Sequence, residues 1–479
     1  GKITGYNIPV SDQDIIRIYP AKSVKRDPYF RYPISISSNY LGRQRESEEF
    51  AQSFQYVVSG NGFLDQKQNH HLQFIYTGPQ QINIARIGNF AQKYLTYQYK
   101  NSEIFVGKKT FGLSNLSENA RFGNGFEFSQ KIGEIAEGWI YYAKPLFLPE
   151  LRQQVGIKGK YKWKNRISNT INFLHNDFTD TTDVQILTLE SAFTDNRTWN
   201  VRTEIAQSNY DGDIGGAYSL ASDISLGSFR LAGSGLYASQ NFKGYYNNSV
   251  FVNAGASYNF QKIGFQAGVN YNDANPSLDT VFSAAPYSLY YNAGLIGRLS
   301  RNTRFQLQGI HRRKIDRLSN KRFDYTENRL RFDMSYSLDK MSFNVVSETG
   351  TTQNFLHVDP DNNKSFGYDA QLRVNYSPKH NLSFTMFSQY LNNTRYGEEQ
   401  TGYLLYGVDA TWKYRKKLSL NLDFQNNYLI EDLYNDRNLL NLSTRYNISP
   451  KQSINALVNY GILRETPHRR DVFFQVNYR

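Results

Sequence analysis

The side chains that usually carry catalysis occur here at spacings that do not support it. Gly233-Ser234-Gly235 is the nearest approach to a nucleophile elbow, but its spacing falls short of Gly-x-Ser-x-Gly and it sits inside a strand-like run. Gly60-Asn61-Gly62 and Gly123-Asn124-Gly125 lack the third glycine and the following helix of a phosphate-cradling loop, so each is expected to be a hairpin turn or bulge. There are seven histidines, and the one adjacent pair, His70-His71, would point its rings to opposite faces of a strand. That is poor geometry for a metal. Asp359-Pro360-Asp361-Asn362-Asn363 has part of a calcium loop's acidic spacing without its glycine or closing glutamate, and is expected to be a solvated loop tip. No cysteine is present, which removes thiolate metal sites, disulfides and cysteine nucleophiles together. No catalytic residue, metal or cofactor is expected.

The remaining chemistry is that of surfaces. The 479 residues carry a net charge of +13, yet no block of five or six like charges occurs. The nearest clusters are His311-Arg312-Arg313-Lys314 and Arg415-Lys416-Lys417, so a solvated surface is a better account than nucleic-acid binding. Tyr (37) and Phe (32) are too abundant for a disordered chain. No apolar run approaches the ~20 residues of a spanning helix. A mean hydropathy of −0.61 therefore excludes a helical membrane protein but not a barrel, whose strands turn one face to water.

The charged and amide residues fall on a ruler. Leu418, Leu420, Leu422 and Phe424 alternate with Ser419, Asn421 and Asp423; Leu330, Phe332, Met334 and Tyr336 alternate with Arg329, Arg331, Asp333 and Ser335. Leu372, Val374 and Tyr376 alternate with Gln371, Arg373 and Asn375, and Val472 to Tyr478 closes the chain on the same period. Period two means strands with one apolar and one polar face. Short breaks recur roughly every 30 to 40 residues, from Asn165-Arg166 to Pro378-Lys379 and Pro450-Lys451. Longer polar loops lie between them, such as 275–286, 318–324, 358–364 and 393–400.

Short turns at one end, longer loops at the other, and strands of about 11 to 15 residues fit an outer-membrane barrel better than a β-propeller or sandwich. The fold class is thus all-β: a transmembrane antiparallel up-and-down β-barrel of about 26 strands, with 24 as the alternative. Nineteen strands are counted after Leu151, and seven upstream near 34–42, 49–59, 70–77, 93–101, 102–109, 124–132 and 137–145. Residues 1–33, with four prolines, read as an extended periplasmic segment, and 34–479 as the barrel. An even count puts both termini on the periplasmic side, with Pro378 and Pro450 there and Asp361 on the opposite rim.

Alternation assigns the faces. Arg298, Arg304, Arg331, Asp333, Arg373, Asp409, Lys413, Asn421, Asp423 and Arg445 are expected to face the lumen, and Phe332, Val374, Leu420, Leu422 and Val458 the lipid. Tyr376, Tyr414, Phe424, Tyr428, Tyr446, Tyr460 and Tyr478 on the apolar side suit interfacial girdles. The expected partners are outer-membrane lipid and lipopolysaccharide, the latter bridged to the 359–363 loop by divalent ions, with no nucleic acid.

The first third is less regular. Arg26-Asp27-Pro28-Tyr29-Phe30-Arg31-Tyr32 leads to a strand ending Val57-Val58-Ser59-Gly60-Asn61, then Tyr76-Thr77-Gly78-Pro79, Tyr97-Gln98-Tyr99 and Phe105-Val106-Gly107. Phe111-Gly112-Leu113-Ser114-Asn115-Leu116 precedes Arg121-Phe122-Gly123-Asn124-Gly125-Phe126-Glu127. Over residues 26–145 this texture resembles the first barrel strands of usher-like outer-membrane proteins of Gram-negative bacteria. The resemblance implies a wide, short-looped barrel that passes folded subunits outward. The chain departs from that pattern: no plug-sized insertion separates the early strands, and no chaperone-binding or C-terminal domain is expected.

Two main functions follow as expectations. One is a channel for export or assembly of a protein or other macromolecule, plugged or gated by a partner chain. The other is a passive porin for solutes, while a structural barrel of a surface complex stands third. The longest non-strand stretches (78–92, 110–123, 275–286) look too short to close so wide a bore, which favours the export channel.

Overall fold

The computed structural model describes residues 32–45, 49–78, 93–163, 166–179, 182–195, 198–356, 363–392, 402–415, 417–429, 437–449, 452–463 and 469–478. These form 26 strands, from β1 (Ile34–Arg45) to β26 (Arg469–Tyr478), and among the described residues there is no helix. Every strand pairs antiparallel with its sequence neighbours, and the first and last close the ring. The closing seam runs from Ser38 opposite Tyr478 to Arg45 opposite Asp471. The architecture is therefore a closed 26-stranded antiparallel barrel, the first of the two expected counts.

Strands form because alternation leaves each segment one apolar face, while closure leaves no unpaired edge to satisfy. Because the number of strands is even, β1 begins and β26 ends at the same rim, here the terminal rim. The turns there are tight. Between β14 (Ser249–Phe260) and β15 (Ile263–Ala274) only Gln261 and Lys262 intervene, with Gln261 at φ 47°. Pro378 lies at that rim, in the last residues of β20 (Lys364–Lys379), where the register shifts between Tyr376 and Lys379. The distal rim has longer connections, 239–248 and 275–285 among them, but also one two-residue turn. There Asp211 (φ 50°) and Gly212 (φ 89°) take the doubly left-handed geometry that suits a twisted hairpin. Pro450, Asp361 and the rest of the 359–362 segment lie outside the described residues, as do 79–92 and 393–401.

One sequence expectation is corrected. Gly60-Asn61-Gly62 and Gly123-Asn124-Gly125 are neither turns nor bulges: they lie within β2 (Ala51–Phe63) and β6 (Arg121–Ile132), each paired with the following strand without a register shift. Their glycines make room instead. A Cβ on Gly60 would fall within 2.6 Å of the Tyr32 and Phe74 rings, and one on Gly125 within 2.1 Å of the Tyr142 carbonyl. Gly233-Ser234-Gly235 lies in β13 (Phe229–Ala238), as read.

Candidate functional site

The cross-strand register decides which side chains share a face. Arg298 stands opposite Arg304 across the hairpin of β16 (Pro286–Arg298) and β17 (Thr303–Asp316). Arg304 faces Ser335 of β18 (Asp324–Ser337), which by alternation shares its side with Asp333 and Arg331. Ser335 faces Asn344, and Asn344 faces Arg373. The row continues through Phe387 to Gly407 of β22 (Tyr403–Tyr414), on the side of Asp409 and Lys413. Asp409 then faces Asp423 of β23 (Leu418–Leu429), whose side holds Asn421, and Ser419 faces Arg445. One face thus brings together Arg298, Arg304, Arg331, Asp333, Arg373, Asp409, Lys413, Asn421, Asp423 and Arg445.

Phe332, Val374, Leu420, Leu422 and Val458 fall on the opposite face. Leu422, for example, pairs with Ala410 and with Leu442, which pairs with Val458. Followed through each ladder in the other direction, the polar face stays continuous through Asn292, Asn270, Asn253 and Ser219 to Glu204.

The polar groups on this face are partnered sideways. Asn421 donates to the Ser443 hydroxyl at 3.1 Å, Thr385 to Asn375 at 2.9 Å, and Gln389 to Asp369 at 3.1 Å. Arg331 donates through Nε to Asp333 at 3.0 Å and lies 3.8 Å from Glu348. Towards the distal rim, Arg312 pairs with the buried Glu327 at 2.6 Å, and Arg329 lies 3.4 Å from the same carboxylate. The charges form short clusters of mixed sign, not a ring of one sign.

Part of this face is covered by a segment outside the strands. Residues 112–120, between β5 (Ser102–Phe111) and β6, fold back onto it as a compact shelf. Leu113 N–H donates to the Glu118 carbonyl at 2.9 Å, and the Ser114 and Ser117 hydroxyls are 2.7 Å apart. The shelf is latched to the wall at three places. Leu116 N–H donates to Glu204 Oε1 of β11 (Trp199–Tyr210) at 2.9 Å. Lys158 Nζ and Gln154 Nε2 of β8 (Leu151–Trp163) donate to the Leu113 carbonyl at 2.9 Å and Glu118 Oε2 at 3.1 Å. Leu116 and Phe111 are fully buried beneath it.

A second piece, 239–248, lies beside the first. Its Tyr245 N–H donates to the Leu116 carbonyl at 2.9 Å, its Lys243 N–H to Ser208 at 3.0 Å, and Phe242 is fully buried. It joins 275–285 through Asn248, whose amide donates to Asn275 at 2.7 Å and Ser277 at 2.6 Å. Residues 110–123, expected to be too short to close so wide a bore, thus cover part of one arc of this face. What could have signalled it is apolar Leu113, Leu116 and Phe242 in stretches that lack strand alternation.

Gly215 of β12 (Asp213–Leu226) permits this packing: a Cβ there would sit 2.2 Å from the backbone of Asn241 and Phe242. Gly215→Val is expected to lift 239–248 off the wall at a cost of about 1–3 kcal/mol. Limited proteolysis should then cut within that segment in the variant and not in the wild type, while the barrel band survives. An uncut variant would contradict the packing.

Among the described residues no group of three or more His, Asp or Glu is placed to hold a metal. His70 and His71 diverge: the first lies 2.6 Å from the Tyr97 hydroxyl and the second packs edge-on to Phe63.

No protein-family profile matches the chain. No curated protein sequence matches it either. Solved structures do. A chain of the E. coli P pilus tip assembly intermediate PapC-PapD-PapK-PapG matches with a TM-score of 0.51 at 11% identity, over 94% of this chain and 62% of that one. This chain therefore spans less than two thirds of its length. The P pilus usher (PapC) translocation pore matches with a TM-score of 0.44 at 10% identity, over 93% of this chain and 98% of that one. Pseudomonas aeruginosa OpdQ matches with 0.35 at 13% identity, over 63% and 96%. At such identities what is shared is the fold, a closed antiparallel β-barrel of the outer-membrane kind.

Proposed function

We propose that the polar face lines the lumen of an outer-membrane channel for export or assembly of a protein or other macromolecule. In this account the apolar face meets lipid and lipopolysaccharide, the terminal rim is periplasmic, and the chain is not an enzyme. A passenger or a periplasmic partner chain fills what the shelf leaves open. The observation that carries the proposal is the closed ring of 26 strands with one largely polar face. Strands about 4.8 Å apart and tilted by roughly 40° give a backbone perimeter of about 160 Å. The shelf and its neighbour are anchored to a single arc, at Lys158, Glu204 and Gly215. Elsewhere the wall is wetted by amides and hydroxyls, and its charges of both signs select weakly among ions. Apolar side chains on this face, Phe387 among them, lie between polar neighbours, so a polypeptide would find little on which to stick.

A passive porin is the second account, and the inward fold of residues 112–120 is what favours it. Purified protein in a planar bilayer separates the two. Large, poorly selective conductance, or copurification with a plugging chain, is the expected result. Small, strongly ion-selective steps from the isolated chain would favour the porin.

A further inference from the structure

We propose that the cleft between Arg298 and Arg304 at the terminal rim binds small dianionic oxyanions, phosphate or a short dicarboxylate. This deepens the function proposed above, since the cleft would be reached through the lumen. The two arginines are the last facing pair of their hairpin, both exposed, and neither guanidinium has an acidic or hydrogen-bonding partner among the described residues. Like charges directly opposite one another in a sheet destabilise it. Asp409 and Asp423 form a second opposed like-charged pair on this face. Facing carboxylates have a general remedy, the sharing of one proton; a guanidinium does not give up its proton. For the arginine pair, which cannot shed a proton, a bound anion adds relief beyond what solvent screening gives.

The surroundings supply none. Asp333 reaches the same cleft, but both its oxygens already accept from Arg331, at 3.0 and 3.4 Å, and Arg331 also faces Glu348. The cleft has a volume of about 370 Å³, and Gln306, Ser335, Asn344 and Asn259 add neutral donors around the two cations. Gly264 keeps it open, since a Cβ there would lie 2.5 Å from Asn259 Oδ1. Two planar guanidinium forks can each give paired N–H bonds to one oxyanion, which is the geometry that favours phosphate and carboxylate over chloride.

Titration calorimetry on the full chain in detergent tests this directly, with inorganic phosphate and succinate as probes and chloride as the control at equal ionic strength. The wild type is expected to bind both probes. Arg304→Gln and Arg298→Gln should each weaken binding about tenfold or more, as loss of a charged hydrogen-bond donor implies. Lys413→Gln removes a positive charge elsewhere on the same face and should leave binding unchanged. Heat-modifiable gel mobility shows that each variant is folded, and either arginine variant alone suffices if the other is not. Absence of phosphate and succinate binding to the wild type would overturn the proposal. So would equal weakening by Lys413→Gln, which would mark a diffuse charge effect. Calorimetry needs no conducting pore, so loss of the channel account and loss of this site would be told apart.

Discussion

Leu422→Lys is expected to destabilise the membrane-inserted barrel by about 2–4 kcal/mol, the cost of a lysine on the lipid face near the bilayer midplane. Leu422 sits mid-strand in β23, with Ala410 on one side and Leu442 on the other, and the apolar row continues to Val458. A lysine there could reach neither rim without abandoning that row. Asn421→Lys, one residue away on the other face beside Ser443, is expected to cost little, because its ammonium would enter a wet lumen. Urea unfolding of both variants from phospholipid vesicles measures the difference. If the two variants lose equal stability, or the order reverses, β23 has been assigned to the wrong face.

The second large effect concerns the shelf. Replacing residues 113–118 by a short Gly-Ser bridge is expected to enlarge single-channel conductance without unfolding the barrel. The segment contributes no strand and covers only part of one arc of the polar face. A single substitution should show the same latch more gently. Glu204 is almost fully buried and accepts the Leu116 N–H, so Glu204→Ala leaves that donor unpaired at a cost of about 1–3 kcal/mol. The expected outcome is a conductance that fluctuates between two levels as the shelf detaches and returns. Steady wild-type conductance in both variants would show that the shelf does not narrow the path.

The contrast between these two regions explains how much was legible in the sequence. A strand with water on one side and lipid on the other has to alternate, and a one-residue slip would turn Arg373 or Asp423 outward. Alternation therefore fixed the count of 26, the break at Gln261-Lys262, and the shared face of Arg298 through Arg445. The shelf obeys no such period. Its stability comes from contacts distant in sequence, Leu116 with Glu204 and Tyr245, Lys158 with Leu113, and such contacts leave no local pattern. The paired glycines of β2 and β6 misled for a related reason. Gly-Asn-Gly is a strong local turn signal, yet these glycines answer to rings and carbonyls on neighbouring strands, including Tyr32, Phe74 and Tyr142.

The central claim, that the polar face is wet and the apolar face lies in lipid, can be measured on one strand. The chain has no cysteine, so single cysteines at positions 419 to 424 would each be the only thiol. With the protein in lipid vesicles, a membrane-impermeant maleimide is expected to label Ser419→Cys, Asn421→Cys and Asp423→Cys. Leu420→Cys, Leu422→Cys and Phe424→Cys should stay unlabelled until the vesicles are dissolved. Labelling that ignores the alternation, or that favours the even positions, would contradict the account.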